Sequence, residues 1–272
     1  MPTETAAQRP HAQARMQHVL RRLGEDGPVS VAGIAAELRV SEMTVRRDLA
    51  DLARRGLVER VHGGAIAARG PMQAEDGEPA FAARARRHAA AKARIALAAA
   101  GHVAGRSPLA LDLGTTVLAA VRAMIRDGAD PSLRVFTHSL RAAQATARAG
   151  IATHLTGGLI RAEEMSLTGP EAVESFARYY FDVALLGASG LTGEGIFDYS
   201  PEEVAVKAMF IRHASERVLL LDSSKFRRVS TVRAASLTQI STLITDAPPP
   251  PDLAAALAEA RVRVIVAPEA EG

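Results

Sequence analysis

The sequence predicts an α/β molecule in two parts: a small N-terminal helical unit closed by a β-hairpin, and a larger unit built on a mostly parallel, Rossmann-like sheet. Three observations carry the expectation. Short apolar stripes at helical spacing fill the stretch up to Leu52. Two glycines, Gly63 and Gly64, then separate a pair of short aliphatic runs, as a tight hairpin requires. Beyond residue 105, apolar runs of strand length alternate with amphipathic stretches of helix length, the pattern of parallel strands joined by crossover helices. The 272 residues suffice for one small domain and one of roughly 150 to 200 residues.

In chain order, residues 1–14 lack an apolar core and read as a disordered polar tail, not a signal peptide. Residues 15–67 form the small unit. Met16, Val19, Leu20 and Leu23 mark a first helix, stopped by Gly24 and Gly27-Pro28. Val31, Ile34, Ala35 and Leu38 mark a second, with Ser30 as its cap, and Val45, Leu49 and Leu52 a third. Only Arg39-Val40-Ser41 separates the last two, the spacing of a helix-turn-helix. Ser41 stands to cap the third helix and Glu42 suits the positive end of its dipole, although Thr44, where a capping box has Glu, leaves the box half made. Leu57 to Val61 then reads as a strand that turns at Gly63-Gly64 into Ala65-Ile66-Ala67. This hairpin is a wing, with Arg60 and His62 beside its tip.

At about 100° per residue, Met43, Arg47 and Arg54 point away from the apolar face of the third helix, flanked by Thr44 and Arg46. Guanidinium groups pair bidentately with guanine or anchor phosphates, so these side chains suit a recognition helix lying in a major groove. An Arg-Arg pair by itself reads better as a solvated helix face; the neighbouring helices and the wing reverse that in favour of the nucleic-acid reading. The candidate DNA contacts are Ser41, Met43, Thr44, Arg46, Arg47, Arg60, His62 and Gly63. Charge agrees: of 33 bases and 30 acids, residues 1–70 hold 11 and 8 and the remainder 22 and 22, so the net +3 sits on the small unit.

Residues 68–80 mix Gly, Pro and acids without a period and are expected to be a linker to a second domain at 81–268. A helix begins at Phe81 and carries Arg84, Arg86, Arg87, Lys92 and Arg94 with no acid among them, either a solvated face or a surface that extends the DNA contact or mediates dimer packing. Strands are expected at Leu109–Leu113, Leu133–Thr137, Ala152–Leu155, Val183–Leu186, Arg217–Leu221, Leu243–Thr245 and Val262–Val266. Helices such as Val117–Ile125, Leu140–Ala149, Glu171–Tyr179 and Glu202–His213 lie between most of them. Ligands of such folds sit at the carboxyl ends of the strands. There Gly114, Thr115 and Thr116 form either an anion cradle or an ordinary capped turn. Asp112, His138, Ser139, Gly157, Gly158 and Lys225 stand in or beside the other loops of that rim, and Lys225 is placed to neutralise a phosphate.

Other chemistry is restricted. The chain has no cysteine, which excludes disulfides, thiolate zinc sites and thiol catalysis and fits a reducing cytoplasm. The eight histidines show no HxxxH or HxH spacing, so no metal is expected, and no cofactor motif is present. No apolar run approaches the length of a membrane span.

Two groups of motifs carry a family resemblance. PVSVAGIAAEL followed by VSEMTVRRDLADLARRGLVERVHGGA resembles the DNA-binding signature of DeoR-family bacterial transcriptional repressors, wing included. LDLGTT, FTHSL, TGG, the Asp182-to-Gly190 stretch, EEVAVKAM, LLLDSSKF and LITD follow in the order of that family's sensor domain. The resemblance implies a winged helix-turn-helix and a ribose-5-phosphate-isomerase-like sensor that binds a phosphorylated sugar or polyol. It further implies a homo-oligomeric (dimeric or tetrameric) repressor of the cytoplasm that the effector releases from double-stranded operator DNA. One departure is His138, where the family has Asn, which bears on a polar contact to the ligand. The alternative is a sugar-phosphate isomerase with an accessory DNA-binding domain. Its base would come from Asp112, Asp198, Glu202, Glu203 or Asp222. These read better as structural or binding groups, since Asp112 lies within a strand and Glu202-Glu203 start a helix, where the dipole favours acids; no catalytic residue is expected.

Overall fold

The computed structural model describes residues 12–25, 29–54, 58–61, 63–67, 73–74, 80–126, 128 and 130–269. The chain falls into two compact units, residues 1–72 and 73–272. In the first, α1 (Ala12–Glu25), β1 (Val29–Ser30), α2 (Val31–Leu38) and α3 (Glu42–Arg54) precede the hairpin β2 (Val58–Val61) and β3 (Gly64–Ala67). Helix α1 starts at Ala12, so the last residues of the expected tail are helical. The turn between α2 and α3 is set by Arg39, whose left-handed backbone (φ 51°) closes α2 through bonds from its amide to the carbonyls of Ala35 and Ala36. Val19, Leu23, Ile34, Val45, Leu49, Leu52 and Val58 form the core, the apolar stripes meeting as their spacing requires.

Two features of this unit escape the apolar pattern. Val29–Ser30 adds a third strand to the wing, antiparallel to β3. It packs so tightly that a Cβ on Gly64 would come within 2.0 Å of the Val29 carbonyl oxygen. And Asp48, on α3, is buried: Arg15 of α1 grips both its carboxylate oxygens, at 2.7 and 3.1 Å.

The second unit opens with β4 (Gln73–Ala74), α4 (Phe81–Arg86) and α5 (Ala89–His102). Gln73–Ala74, inside the expected linker, pairs with β14 (Arg228–Val229), and the expected single helix from Phe81 breaks at Arg87-His88, where His88 adopts φ 54°. The main sheet comprises β5 (Leu109–Leu111), β6 (Arg134–Thr137), β7 (Ala152–Leu155), β10 (Phe181–Leu186), β13 (Ala214–Leu220), β16 (Thr242–Thr245) and β17 (Arg263–Val266), all parallel, in the order β17-β16-β13-β10-β5-β6-β7. Helices α5, α6 (Thr115–Arg126) and α7 (Leu140–Arg148) cover one face over Ile95, Leu111, Val117 and Val121. Helices α8 (Pro170–Ser175), α9 (Pro201–His213) and α10 (Pro251–Glu259) cover the other over Phe176, Phe181, Phe210 and Leu257. Short antiparallel additions, β8 (Leu159–Arg161) with β9 (Ser166–Thr168) and β11 (Gly190–Thr192) with β12 (Gly195–Asp198) and β15 (Val232–Ala235), fall in stretches too rich in glycine and charge to alternate visibly.

The strand order decides where a ligand fits. The chain enters the sheet at β5, runs outward through β6 and β7, then crosses back to β10 on the opposite side of β5. The loops after β5 and β10 therefore diverge, and the crevice between them is the switch point at which open α/β sheets bind ligands.

Asp48→Ala removes the buried carboxylate to which the Arg15 guanidinium donates twice. The expected cost is about 3 kcal/mol, read as roughly hundredfold faster hydrogen exchange of the α1 and α3 amides in the full chain.

Candidate functional site

On α3 the cap and the exposed face are separate. The Ser41 hydroxyl accepts the Thr44 amide at 3.2 Å and lies 2.9 Å from the Thr44 hydroxyl, so both threonine groups are engaged at the helix start. Met43 is 73 % exposed. Arg46 is half exposed and pairs with Glu42 one turn back at 3.0 Å, whereas Arg47 is exposed and makes no ion pair among the described residues. Arg60 is exposed on β2, Gly63 forms the turn (φ 80°), and His62 lies outside the described residues.

In the second unit an open cleft occupies the switch point. Gly114, Thr115, Thr116, Gly187, Ala188 and Ser189 supply the loops after β5 and β10, and Asp222, Ser224 and Lys225 the loop after β13. Gly114 (φ 114°) lets strand turn into helix with the first amides of α6 facing outward.

Under the cleft lies a buried polar cluster. Asp112, 1 % exposed, accepts from the Gly187 amide at 3.0 Å, from the Lys207 ammonium and from Nε2 of His138 at 3.0 Å. Lys207 of α9 also donates to the Gly187 carbonyl at 2.7 Å and pairs with Asp198 at 3.2 Å. Burial pushes the Asp112 carboxyl up, but Lys207 and His138 outweigh it and hold the pKa at about 2. Burial pushes Asp198 up to about 6, Lys207 only partly offsetting it and Asp112 adding to it. Burial also pulls the Lys207 ammonium down, but the two carboxylates prevail and raise it.

The structure thus brings Gly114, Thr115, Thr116 and Lys225 to one cleft and puts Asp112 beneath it. The other expected effector residues are elsewhere. His138 is wholly buried, directed at Asp112 and packed edge-on against Phe210, within the polar cluster beneath the cleft. Ser139 caps α7, accepting the Ala142 amide. Gly157 and Gly158 follow the edge strand β7; Gly158 is required by close packing, since a Cβ there would lie 2.4 Å from the Thr168 carbonyl oxygen. Two strand spacings of about 4.8 Å separate β7 from β5, which is why this loop misses the crevice.

Three other residues of the sequence reading also find their place. Glu203 is tied to Ser166 and Arg161, Glu202 to the capping Ser200, and Asp222 to Ser224. The basic run after Phe81 is not simply a solvated face: Arg84, Arg87, His88 and Lys92 line the cleft, with Lys92 only 6 % exposed. Lys207, Asp198 and Arg228 join them, and only the conjunction of KAM on a helix with an acid inside a strand hinted at Lys207.

Comparison with known proteins assigns both units. The DeoR-like helix-turn-helix domain matches residues 15–69, and the DeoR C terminal sensor domain matches residues 87–247. The chain belongs to the DeoR family. It is 31 % identical to the HTH-type transcriptional regulator GlpR of Haloferax volcanii over 85 % of this chain and 89 % of that one. It is 28 % identical to the glycerol-3-phosphate regulon repressor of Escherichia coli over 87 % and 91 %, and to the HTH-type transcriptional repressor CsqR of the same organism over 94 % and 95 %. This DeoR-family protein is therefore a DNA-binding transcriptional regulator and not an enzyme. Ribose 5 phosphate isomerase A from Neisseria gonorrhoeae overlays on 52 % of this chain and 54 % of its own at 15 % identity, with a TM-score of 0.38; the strand order above, not that loose likeness, defines the fold class. No helix among the described residues is long and apolar enough to cross a membrane.

Asp198 gives the regulator a pH signature. Its folded pKa lies above the ordinary 3.8, so the native chain holds the extra proton between about pH 4 and 6 and loses stability as pH rises through that window. The loss reaches about 3 kcal/mol above pH 6. Asp198→Asn is expected to melt close to wild type near pH 4.5 and several degrees higher at pH 7.5; equal midpoints at both would show that Asp198 ionises freely.

Proposed function

We propose that this regulator is a repressor of a carbohydrate or polyol catabolic operon, released from its operator when a phosphorylated sugar or polyol occupies the cleft. In this reading residues 15–67 bind DNA and residues 81–268 bind the effector, joined through 68–80. The observation that carries it is the cleft itself. The amide end of a twelve-residue helix, two threonine hydroxyls and Lys225 meet there with a surplus of cations, the donor set that suits a phosphomonoester dianion. The names of relatives point the same way, since one is a repressor of a glycerol-3-phosphate regulon.

Arg47, exposed and in no ion pair among the described residues, is the side chain we assign to a base edge or phosphate, with Arg46, Thr44, Ser41 and Met43 around it and Arg60, His62 and Gly63 on the wing. Two copies would set recognition helices into successive major grooves of a repeated or palindromic operator, in a dimer or tetramer. The effector shifts occupancy only by the difference in its affinity for the DNA-competent and DNA-incompetent arrangements.

Arg47→Ala is expected to cost about 1–3 kcal/mol of operator binding, and the Arg46/Arg47 double alanine variant to flatten the salt dependence as well. Gel-shift titration against an operator selected from random duplexes reads both, and unchanged affinity and slope would refute the assignment.

For the sensor, a thermal-shift panel of phosphorylated sugars and polyols should contain a compound that raises the melting midpoint. The unphosphorylated counterpart should not. Thr115→Ala and Lys225→Ala are each expected to need at least tenfold more of that compound for the same shift; a normal response in both would move the phosphate elsewhere.

A further inference from the structure

Part of the cleft wall does not come from the sheet. Arg87 and His88 form the elbow between α4 and α5, Arg84 sits on α4 and Lys92 on the first turn of α5, and all four line the cleft. Lys92 and Thr115 also share the adjoining groove between α4, α5 and α6, which brings the elbow against the helix start expected to hold a phosphate.

The elbow is lightly held. Helix α4 is six residues long and buries none of them, and its cap residue Ala80 supplies no side-chain bond. Its anchors are polar. Arg84 pairs with the buried Glu164, and the Phe81 ring lies under the guanidinium groups of Arg84 and Arg141, at 5.7 and 4.2 Å. The Lys92 ammonium donates to the backbone carbonyls of Arg84 and, at 2.9 Å, Arg87. An ammonium has three donor hydrogens, so these two carbonyls leave one, with no further partner among the described residues. Burial lowers the Lys92 pKa; Asp222 opposes that, while Lys225, Arg84 and Arg87 add to it, so the cluster as it stands is short of negative charge. The Arg87 side chain is exposed and makes no ion pair among the described residues.

We propose that the α4–α5 elbow is the second wall of the effector site, where Lys92 bridges a phosphomonoester at the α6 N-terminus to the last carbonyls of α4, with Arg87 closing over the same dianion. The proposal rests on the phosphate reading above and deepens it by naming how occupancy leaves the sheet. A ligand held by Lys92 fixes α4, the first helix of the second unit among the described residues and the one that follows the DNA-binding unit in sequence. The ligand class follows from the charge: a dianionic phosphomonoester neutralises Lys92 and Arg87, whereas a neutral sugar or polyol offers them hydroxyl acceptors but no charge.

The test uses the full chain with glycerol 3-phosphate, ribose 5-phosphate and inorganic phosphate, with glycerol as the neutral control. In wild type, a binding phosphate compound should raise the melting midpoint and slow hydrogen exchange of the amides from residue 82 to 92. Lys92→Met should weaken that compound at least tenfold and abolish the protection of α4, and Arg87→Ala should weaken it several-fold. Lys92→Arg, which keeps charge and donors, should recover part of the loss. Because Arg87 is exposed, its variant decides the matter if Lys92→Met fails to fold. A wild-type response that both variants reproduce, or that leaves α4 exchange unchanged, overturns the elbow and spares the phosphate site. No wild-type response to any of the three phosphates removes both.

Discussion

A carboxylate without solvent needs a cation, and the sensor unit is arranged around that requirement at Asp112. Its oxygens accept from an ammonium on α9, an imidazole after β6 and an amide after β10, so one side chain ties three segments together beneath the switch point. The net worth of such a cluster is modest, because desolvating each charge costs nearly what the pairing returns; what it secures is geometry. With Lys207 drawn down onto Asp112 and the Gly187 carbonyl, the loops after β5 and β10 are held apart at a fixed spacing, and the cleft keeps its shape.

Within that frame the cleft lining combines two kinds of group: amides, hydroxyls and cations from α6, the β13 loop and the elbow, and the carboxylate of Asp198 paired with Lys207. Donors for an anion and a carboxylate that accepts from hydroxyls are the groups the proposed phosphorylated sugar or polyol would use. The raised pKa of Asp198 is the cost of keeping an acceptor half out of water beside another carboxylate.

How much of this the sequence made legible follows from which interactions are local. The three helices, the wing and the cap at Ser41 depend on spacing within a few residues, and the exposed side of α3 followed from the same period. Asp48 did not, because its partner Arg15 is 33 positions away and no periodicity relates them. In the sensor, the strands of the parallel sheet were visible as apolar runs, and Gly114-Thr115-Thr116 as a turn into a helix. The glycine-rich β11–β12 hairpin was not, since its register depends on backbone approach more than on apolar alternation. Strand-end chemistry alone suggested that four loops converge, whereas strand order separates those after β6 and β7 from the crevice. Lys92 looked like one more base in a charged run until the break at His88 turned it inward.

The position of β5 has a consequence for synthesis. It is the first strand of its sheet to be made yet takes an interior place beside the central β10, and Leu109, Ala110 and Leu111 are wholly buried. One flank is satisfied early by β6, but the other waits until Phe181–Leu186 has been translated. During that interval the nascent chain carries an unpaired, wholly apolar ribbon edge, the kind of surface that chaperones shield and that neighbouring polysomal chains can cross-associate through. The sensor is thus vulnerable on the ribosome for the same topological reason that it possesses a crevice at all.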